Sequence, residues 1–311
     1  MNNKVDLSRI NNTLGKFEYY LEMHKSICVS VSGGSDSDII VHIIATYFRQ
    51  YLDKIHFVFA NTGLEIQATL DHLDYLENKY QIQIERVKGM PIPKSVKRYG
   101  VPLVSKNASE FLSRLQRHNF QFEDEPFEKL YSIYTKCKAA LRWWCNKWGE
   151  KSRFNIKWNA GLKDKLIQKK PKFKVSCMCC TVAKKNPLTN YEKKIHADLI
   201  ITGERKSEGG VRAGRHTSCF ESKGGIDHFM PLFFWNNETK AYYKEKEAIV
   251  YSDCYEVWGM KRTGCVGCPF GQQIEEELEL IEEHEPKLYK ACWNVFGDAY
   301  RFMGLKERDP E

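Results

Sequence analysis

Three observations predict an α/β fold, a doubly wound parallel sheet with helices on both faces. Short apolar, β-branched runs alternate with stretches of helical period, the first run feeds a glycine-rich turn, and later runs end in turns of similar character. In such sheets, ligands lie beyond the carboxyl ends of the strands.

The first strand is Ile27-Cys28-Val29-Ser30-Val31, which ends at Gly33-Gly34. Behind the turn, Ile39, Ile40, Ile43, Ile44, Tyr47 and Tyr51 recur at helical spacing. His56 to Ala60 reads as a second strand ending at Asn61-Thr62-Gly63, with Glu65 to Tyr80 as the helix after it. Gln81 to Val87 reads as a third strand, and Ala197 to Thr202, ending at Gly203, as a later one. Ser32 to Ser37, Asn61 to Glu65 and the stretch from Gly203 are therefore expected to converge on one crevice. Between about Met90 and Lys174 the alternation gives way to amphipathic patterns (Phe111 to His118, and Phe127 to Trp148), read as a helical insertion. A cysteine-bearing region follows at about 175–271. Ile274 to Glu285, stopped by Pro286, and Lys287 to Met303 then form a helical C-terminal tail. The whole is expected to be one domain spanning 1–311.

Composition narrows the function classes. No apolar run approaches a membrane span, and Met1 to Arg9 lacks the basic start and apolar stretch of an export signal. A cytoplasmic protein without a membrane partner is expected. Eleven cysteines in that setting point to metal, redox or burial rather than disulfides. The net charge of +8 favours anionic partners such as nucleotides without demanding nucleic acid. From Lys151 to Lys174 basic residues interleave with Phe154, Trp158 and Phe173. That pattern fits a nucleic-acid surface or a solvated face whose aromatics are core, and spacing alone leaves both open.

Ser32-Gly33-Gly34-Ser35-Asp36-Ser37 is a candidate phosphate loop. Its glycines allow a sharp turn and close backbone approach, and the helix behind it offers amino-terminal amides to an anion. Ser32, Ser35 and Ser37 supply hydroxyls, and Asp36 is placed to orient a Mg2+ that bridges phosphates. Downstream, Cys179-Cys180 and Cys265-Val266-Gly267-Cys268-Pro269 supply four thiols, a soft donor set suited to zinc or to an iron–sulfur cluster. Adjacent cysteines are an awkward way to build a zinc tetrahedron, and Cys177 offers a further thiol. Gly203-Glu204-Arg205 places a glycine and a forked cation after a strand, and Arg205, Lys206, Arg212 and Arg215 are candidates to clamp phosphate or sulfate.

These residues resemble a known family. Ser32 to Ser37 is similar to the loop of the N-type ATP pyrophosphatases. Phe59-Ala60-Asn61-Thr62-Gly63-Leu64-Glu65 resembles the Asp-Thr-Gly-x-Glu stretch of the phosphoadenosine phosphosulfate (PAPS) reductase family, with Asn61 replacing the usual Asp. Cys179 to Lys184, Ile201 to Glu208 and Lys261 to Pro269 resemble that family too. The likeness covers about Ser26 to Gly89 and Val175 to Gly271. It implies the adenine nucleotide alpha-hydrolase type of Rossmann-like sheet, in its iron–sulfur branch. It assigns nucleotide binding to Ser32, Gly33, Gly34, Ser35, Asp36, Ser37, Asn61, Thr62, Gly63, Glu65, Gly203 and Arg205. By position it makes Cys179, Cys180, Cys265 and Cys268 the ligands of a [4Fe–4S] cluster, with zinc as the fallback. Lys184 then stands between cluster and substrate, and Asp36, Lys184 and Arg205 are the catalytic candidates.

The resemblance implies three functions. The first is an ATP-dependent, AMP-forming enzyme that releases pyrophosphate and activates an acceptor for sulfur transfer. Its implied partners are an adenine nucleotide, a nucleic-acid acceptor held by the basic insertion, and a sulfur donor protein such as a cysteine desulfurase. The second is a reductase of adenylylsulfate or phosphoadenylylsulfate that releases sulfite, with thioredoxin as partner. Such reductases carry a degenerate phosphate loop and a carboxy-terminal Glu-Cys-Gly-x-His nucleophile. The loop here is complete and that motif is missing, which leaves Cys254 as the substitute. The third is a non-catalytic nucleotide- or redox-sensing module.

Overall fold

The computed structural model describes residues 5–159, 161–208, 216–261 and 264–308. The backbone forms two compact units. One comprises Met1–Asn61, Glu65–Gly89 and Lys185–Gly264; the other comprises Thr62–Leu64, Met90–Lys184 and Cys265–Glu311.

The first unit carries the sheet. Its strands are β1 (Ile27–Ser30), β2 (Ile55–Asn61), β3 (Ile84–Lys88), β4 (Leu199–Ile201), β5 (Phe220–Lys223) and β6 (Ile226–Phe229), in the order β3-β2-β1-β4-β6-β5. All neighbours are parallel except the edge pair β5 and β6. Val29 stands opposite Phe57 on one side and Ile201 on the other. The period of two sorts the side chains. Ile27, Val29, Phe57, Phe59, Leu199 and Ile201 pack with Phe17 and Leu21 of α1 (Leu7–Met23), Ile39 to Ile44 of α2 (Ser35–Tyr47) and Leu73 of α3 (Gln67–Tyr80). Cys28, Val58 and Ile200 face the other side, where Leu188, Tyr191 and Ile195 on and beside α9 (Asn186–Lys194) cover them. The sheet is thus covered on both faces, as the near-continuous apolar strands require.

The third strand begins at Ile84 rather than Gln81. Gln81 adopts a left-handed conformation (φ 52°) that closes α3, its N–H on the Glu77 carbonyl. Two features escaped the sequence reading. In α1, burial is confined to Ile10, Thr13, Phe17 and Leu21, a stripe narrow enough to be lost among polar neighbours. The β5–β6 hairpin has polar strands, yet Gly224-Gly225, both at positive φ, is the turn signal that marks it.

The second unit is helical, with α4 (Ile92–Tyr99), α5 (Lys106–Arg117), α6 (Phe127–Ile133), α7 (Lys138–Trp144) and α8 (Leu162–Gln168). The expected helix from Phe127 to Trp148 is broken at Thr135–Cys137 by a 3-10 turn, so that Trp143 stacks on Phe111 at 5.5 Å and Trp144 bonds the Glu123 carbonyl. Cys180–Lys185 form a π-helical turn. Two later helices lie where the acidic and amphipathic runs place them, at Ile274–His284 and Pro286–Met303. Among the described residues, no helix is long and apolar enough to cross a membrane.

Candidate functional site

β1 is central, with β2 on one side and β4 on the other, so the chain reverses its direction of winding there. The loop after β1 is held by its own residues. The Ser37 hydroxyl donates to the Gly34 carbonyl at 2.7 Å and accepts from the Ser32 amide at 3.2 Å. Gly33 has φ +64°, and a Cβ there would lie 2.6 Å from the Thr69 methyl carbon. Both conformation and space therefore demand glycine. Gly203, after β4, is closely packed: a Cβ would come within 3.2 Å of Asp36 and of the Ser37 amide nitrogen. Two of the segments expected to converge are thus in contact. Asn61 ends β2 beside them, and Glu65 opens the stretch leading to α3.

The electrostatic centre of this loop is Asp36. Its Oδ1 takes Arg205 Nε at 2.9 Å and Lys240 Nζ at 2.7 Å. Arg205 is only 6% exposed and is fixed further by Ser207 Oγ at 2.7 Å and Asn237 Oδ1 at 3.1 Å. Lys240 also reaches Ser35 Oγ at 2.5 Å. The sequence reading placed Asp36 at a Mg2+; the structure engages its carboxylate with two cations. Lys240 went unseen because it sits on α10 (Asn237–Lys246), a polar helix whose pattern resembles any solvated one. Behind the loop, Asp38 is fully buried and bonded to His72 Nε2 at 2.9 Å. Burial pushes its carboxyl above the usual range, opposed by His72.

The other predicted residues lie in the helical unit. The Thr62 carbonyl accepts from the Ile92 amide at 2.8 Å, and Gly63 (φ +77°) leaves no room for a Cβ beside Pro91. Cys179 is buried, while Cys180, Cys265 and Cys268 are half-buried. A hydrogen bond with Cys180, then burial, then the charges of Cys180 and Cys268, raise the Cys179 thiol far above its ordinary range. Burial, followed by the neighbouring Cys265, raises Cys268, with Cys180 adding to it. Cys179, Cys180 and Cys268 therefore act on one another electrostatically, and Cys265 acts on Cys268. Their donor chemistry fits a thiolate-bound centre, because a cation in their midst would offset the cost of ionising them together. Among the described residues, however, no group of three His, Cys, Asp or Glu side chains stands at metal-holding geometry.

The Cys265–Cys268 turn is braced from the C-terminal helices. Tyr300 Oη donates to the Gly267 carbonyl, and Glu277 Oε1 accepts from the Gly267 amide at 3.0 Å. A Cβ on Gly267 (φ +60°) would lie 2.6 Å from Tyr300 Oη and 2.7 Å from Cys292 Sγ. What reads as a tail in sequence thus shapes the Cys-x-x-Cys turn. Lys184 is exposed on the π-helical turn that Cys180 opens, an uncommon element that often accompanies function.

Of the remaining cysteines, Cys28, Cys137 and Cys292 are buried, and burial pushes Cys28 and Cys292 up to about 12. Cys254 is fully buried on α11 (Asp253–Glu256), 3.6 Å from Thr69 Oγ1, and is not presented as a nucleophile. Cys219 is buried with Lys16 Nζ at 3.2 Å. Arg212, Arg215 and Arg262 lie outside the described residues.

The chain is 25% identical over 293 residues to an uncharacterized protein of Methanocaldococcus jannaschii, covering 93% of this chain and 45% of that protein. A second uncharacterized protein of that organism is 22% identical over 303 residues, covering 95% and 53%. The chain thus spans about half the length of these curated relatives. The crystal structure of a phosphoadenylyl-sulfate reductase from Candida auris, in a phosphate complex, is 15% identical with a TM-score of 0.45, covering 81% of this chain and 87% of that one. The phosphoadenosine phosphosulfate reductase domain matches residues 26–122 and 150–270, a span that takes in the Ser32–Ser37 loop, Asn61 to Glu65, all four cysteines and Arg205. With the loop, the strand order and the cysteines now in place, the chain belongs to the phosphoadenosine phosphosulfate reductase domain family.

Proposed function

We propose that this chain is an AMP-forming ATP pyrophosphatase that activates an acceptor for sulfur transfer. One observation carries the reading: a complete Ser-Gly-Gly-x-Asp-Ser loop with two cations, Arg205 and Lys240, held against it on Asp36. A nucleotide without β- and γ-phosphates needs neither the full loop nor two cations beside it.

The triphosphate of Mg-ATP lies along Ser32 to Ser37, with the amino terminus of α2 and both cations around it. An acceptor oxygen attacks the α-phosphorus, giving its proton to solvent. The bond to the α,β-bridging oxygen breaks, and pyrophosphate leaves with the electron pair. Arg205 and Lys240 neutralise the charge that develops on the leaving oxygens. A sulfur nucleophile, delivered by a donor protein such as a cysteine desulfurase, then displaces AMP from the acceptor. Cys179, Cys180, Cys265 and Cys268 would hold a [4Fe–4S] cluster, which when bound would supply a redox-active centre beside the sulfur chemistry. Lys184, on the same turn as Cys180, offers a cation to an anionic substrate. Sulfonucleotide reduction is the weaker reading, because Cys254, the residue that would substitute for its missing nucleophile, is sealed from solvent.

ATP labelled at the α-phosphate separates the alternatives. Labelled AMP or an adenylated acceptor, with one pyrophosphate per turnover, is expected. Labelled ADP, or sulfite release from a sulfonucleotide without ATP, refutes the proposal.

A further inference from the structure

The chain's net charge is concentrated. Residues 147–174 contain ten Lys or Arg against Glu150 and Asp164, a net of +8, which equals the +8 of all 311 residues, so the remainder sums to zero. Within this stretch, Phe154 is 46% and Trp158 60% exposed. Neither ring is core, so two of the three aromatics face solvent; Phe173 is half-buried against Phe302.

The segment is built to present these groups. Asn155 is fully buried, donating from Nδ2 to the Gly149 carbonyl at 2.6 Å and accepting the Trp148 amide on Oδ1 at 3.2 Å, and Ile156 is buried beside it. With these two residues anchored inward, Arg153, Phe154, Lys157 and Trp158 are left outward. Trp158 Nε1 donates to the Ser152 carbonyl at 2.8 Å, which holds the indole by its edge. Lys157 Nζ sits 5.3 Å from its centroid. Among the described residues, Lys151, Arg153 and Lys157 have no carboxylate at ion-pair distance, so their charge is available to a partner.

We propose that this surface binds a single-stranded polynucleotide. Cations neutralise its phosphates, and the two held rings stack on unpaired bases. A duplex hides its base faces, and an acidic peptide has no use for the rings. A membrane surface would call for a continuous apolar face, whereas Leu162 and Leu166 of the adjoining α8 point into the unit. Binding stands by itself; that the bound strand is the acceptor rests on the adenylation reading.

The test is fluorescence anisotropy of labelled oligo(dT) and oligo(U) with the full chain over a salt series. Controls are a duplex of equal length and phosphatidylserine vesicles. Both single strands are expected to bind, more tightly than the duplex and the vesicles. Replacing Lys151, Arg153 and Lys157 together by Glu should lower the salt slope by about 2. Replacing Phe154 and Trp158 together by Ala should weaken binding about tenfold or more with the slope unchanged. Preference for one sugar over the other identifies the strand as DNA or RNA. Equal or tighter binding of duplex or vesicles overturns the proposal. So does an equal loss on reversing Lys193 and Lys194, exposed on α9, because binding would then follow total charge. ATP cleavage by a chain that binds no strand removes this surface and spares the adenylation reading; strand binding without ATP cleavage does the reverse.

Discussion

Asp36 shows how one residue organises a site. Unpaired, its carboxylate would repel the triphosphate proposed for this loop. Paired with Arg205 and Lys240, it becomes the anchor that fixes two cations at the Ser32–Ser37 loop. Arg205 is buried and tied to Ser207 and Asn237, so it stays in place when its neighbour changes, whereas Lys240 bonds Ser35 and Asp36 from a flexible stem. Lys240→Ala is therefore expected to lower kcat/KM for pyrophosphate release about 100-fold with little change in Tm. Lys240→Arg should restore part of the activity. A loss of Tm matching the loss of rate would reduce Lys240 to a structural pin. The loop was legible in sequence because its residues are contiguous. Lys240 was not, because roughly two hundred positions separate it from Ser35 and only the packing of α10 unites them.

At the scale of elements, β3 is joined to α3 by side chains as well as by the sheet. Glu77 accepts the Ile84 amide at 2.6 Å and Arg86 Nη2 at 2.7 Å, and Arg86 also reaches Asp74. Desolvation opposes ionisation of Glu77, but the hydrogen bonds from Arg86 and from the Ile84 amide outweigh it and hold the pKa below the ordinary 4.5. A carboxyl whose folded pKa is depressed stabilises above its unfolded value, and the contribution is lost as pH falls through the folded one. Glu77→Gln should accordingly cost about 1 kcal/mol in urea denaturation near pH 7, and the difference should shrink as pH falls below the ordinary 4.5. A constant deficit across that range would show that geometry, not charge, does the holding. Helix and strand types were readable from period along most of the chain. Their ends were not, because Gln81 in a left-handed conformation and the 3-10 turn at Thr135–Cys137 are decided by local backbone bonds rather than by hydrophobicity.

For the whole molecule, the strongest expectation concerns the thiols. Chain purified without oxygen should carry iron and acid-labile sulfide, about four of each. Cys265→Ser and Cys268→Ser should each remove them while Mg-ATP binding persists. Zinc in place of iron would keep the donor set and change the chemistry. Metal-free protein at full pyrophosphatase activity would remove the centre from the scheme. Charge distribution is the other property at this scale: a chain whose net charge is carried by one short segment should bind polynucleotides chiefly through that segment.

The sequence by itself determined the parallel sheet, the glycine loop and the four candidate thiols, because each is written in contiguous residues whose period or spacing is set by short-range sterics. Tertiary structure decided which distant side chains complete them. It brought Lys240 and Arg205 to Asp36, set Tyr300 and Glu277 behind the Cys265–Cys268 turn, buried Cys254 and turned Trp158 outward. Burial and ion pairing depend on what the rest of the chain places nearby, and no local pattern records that.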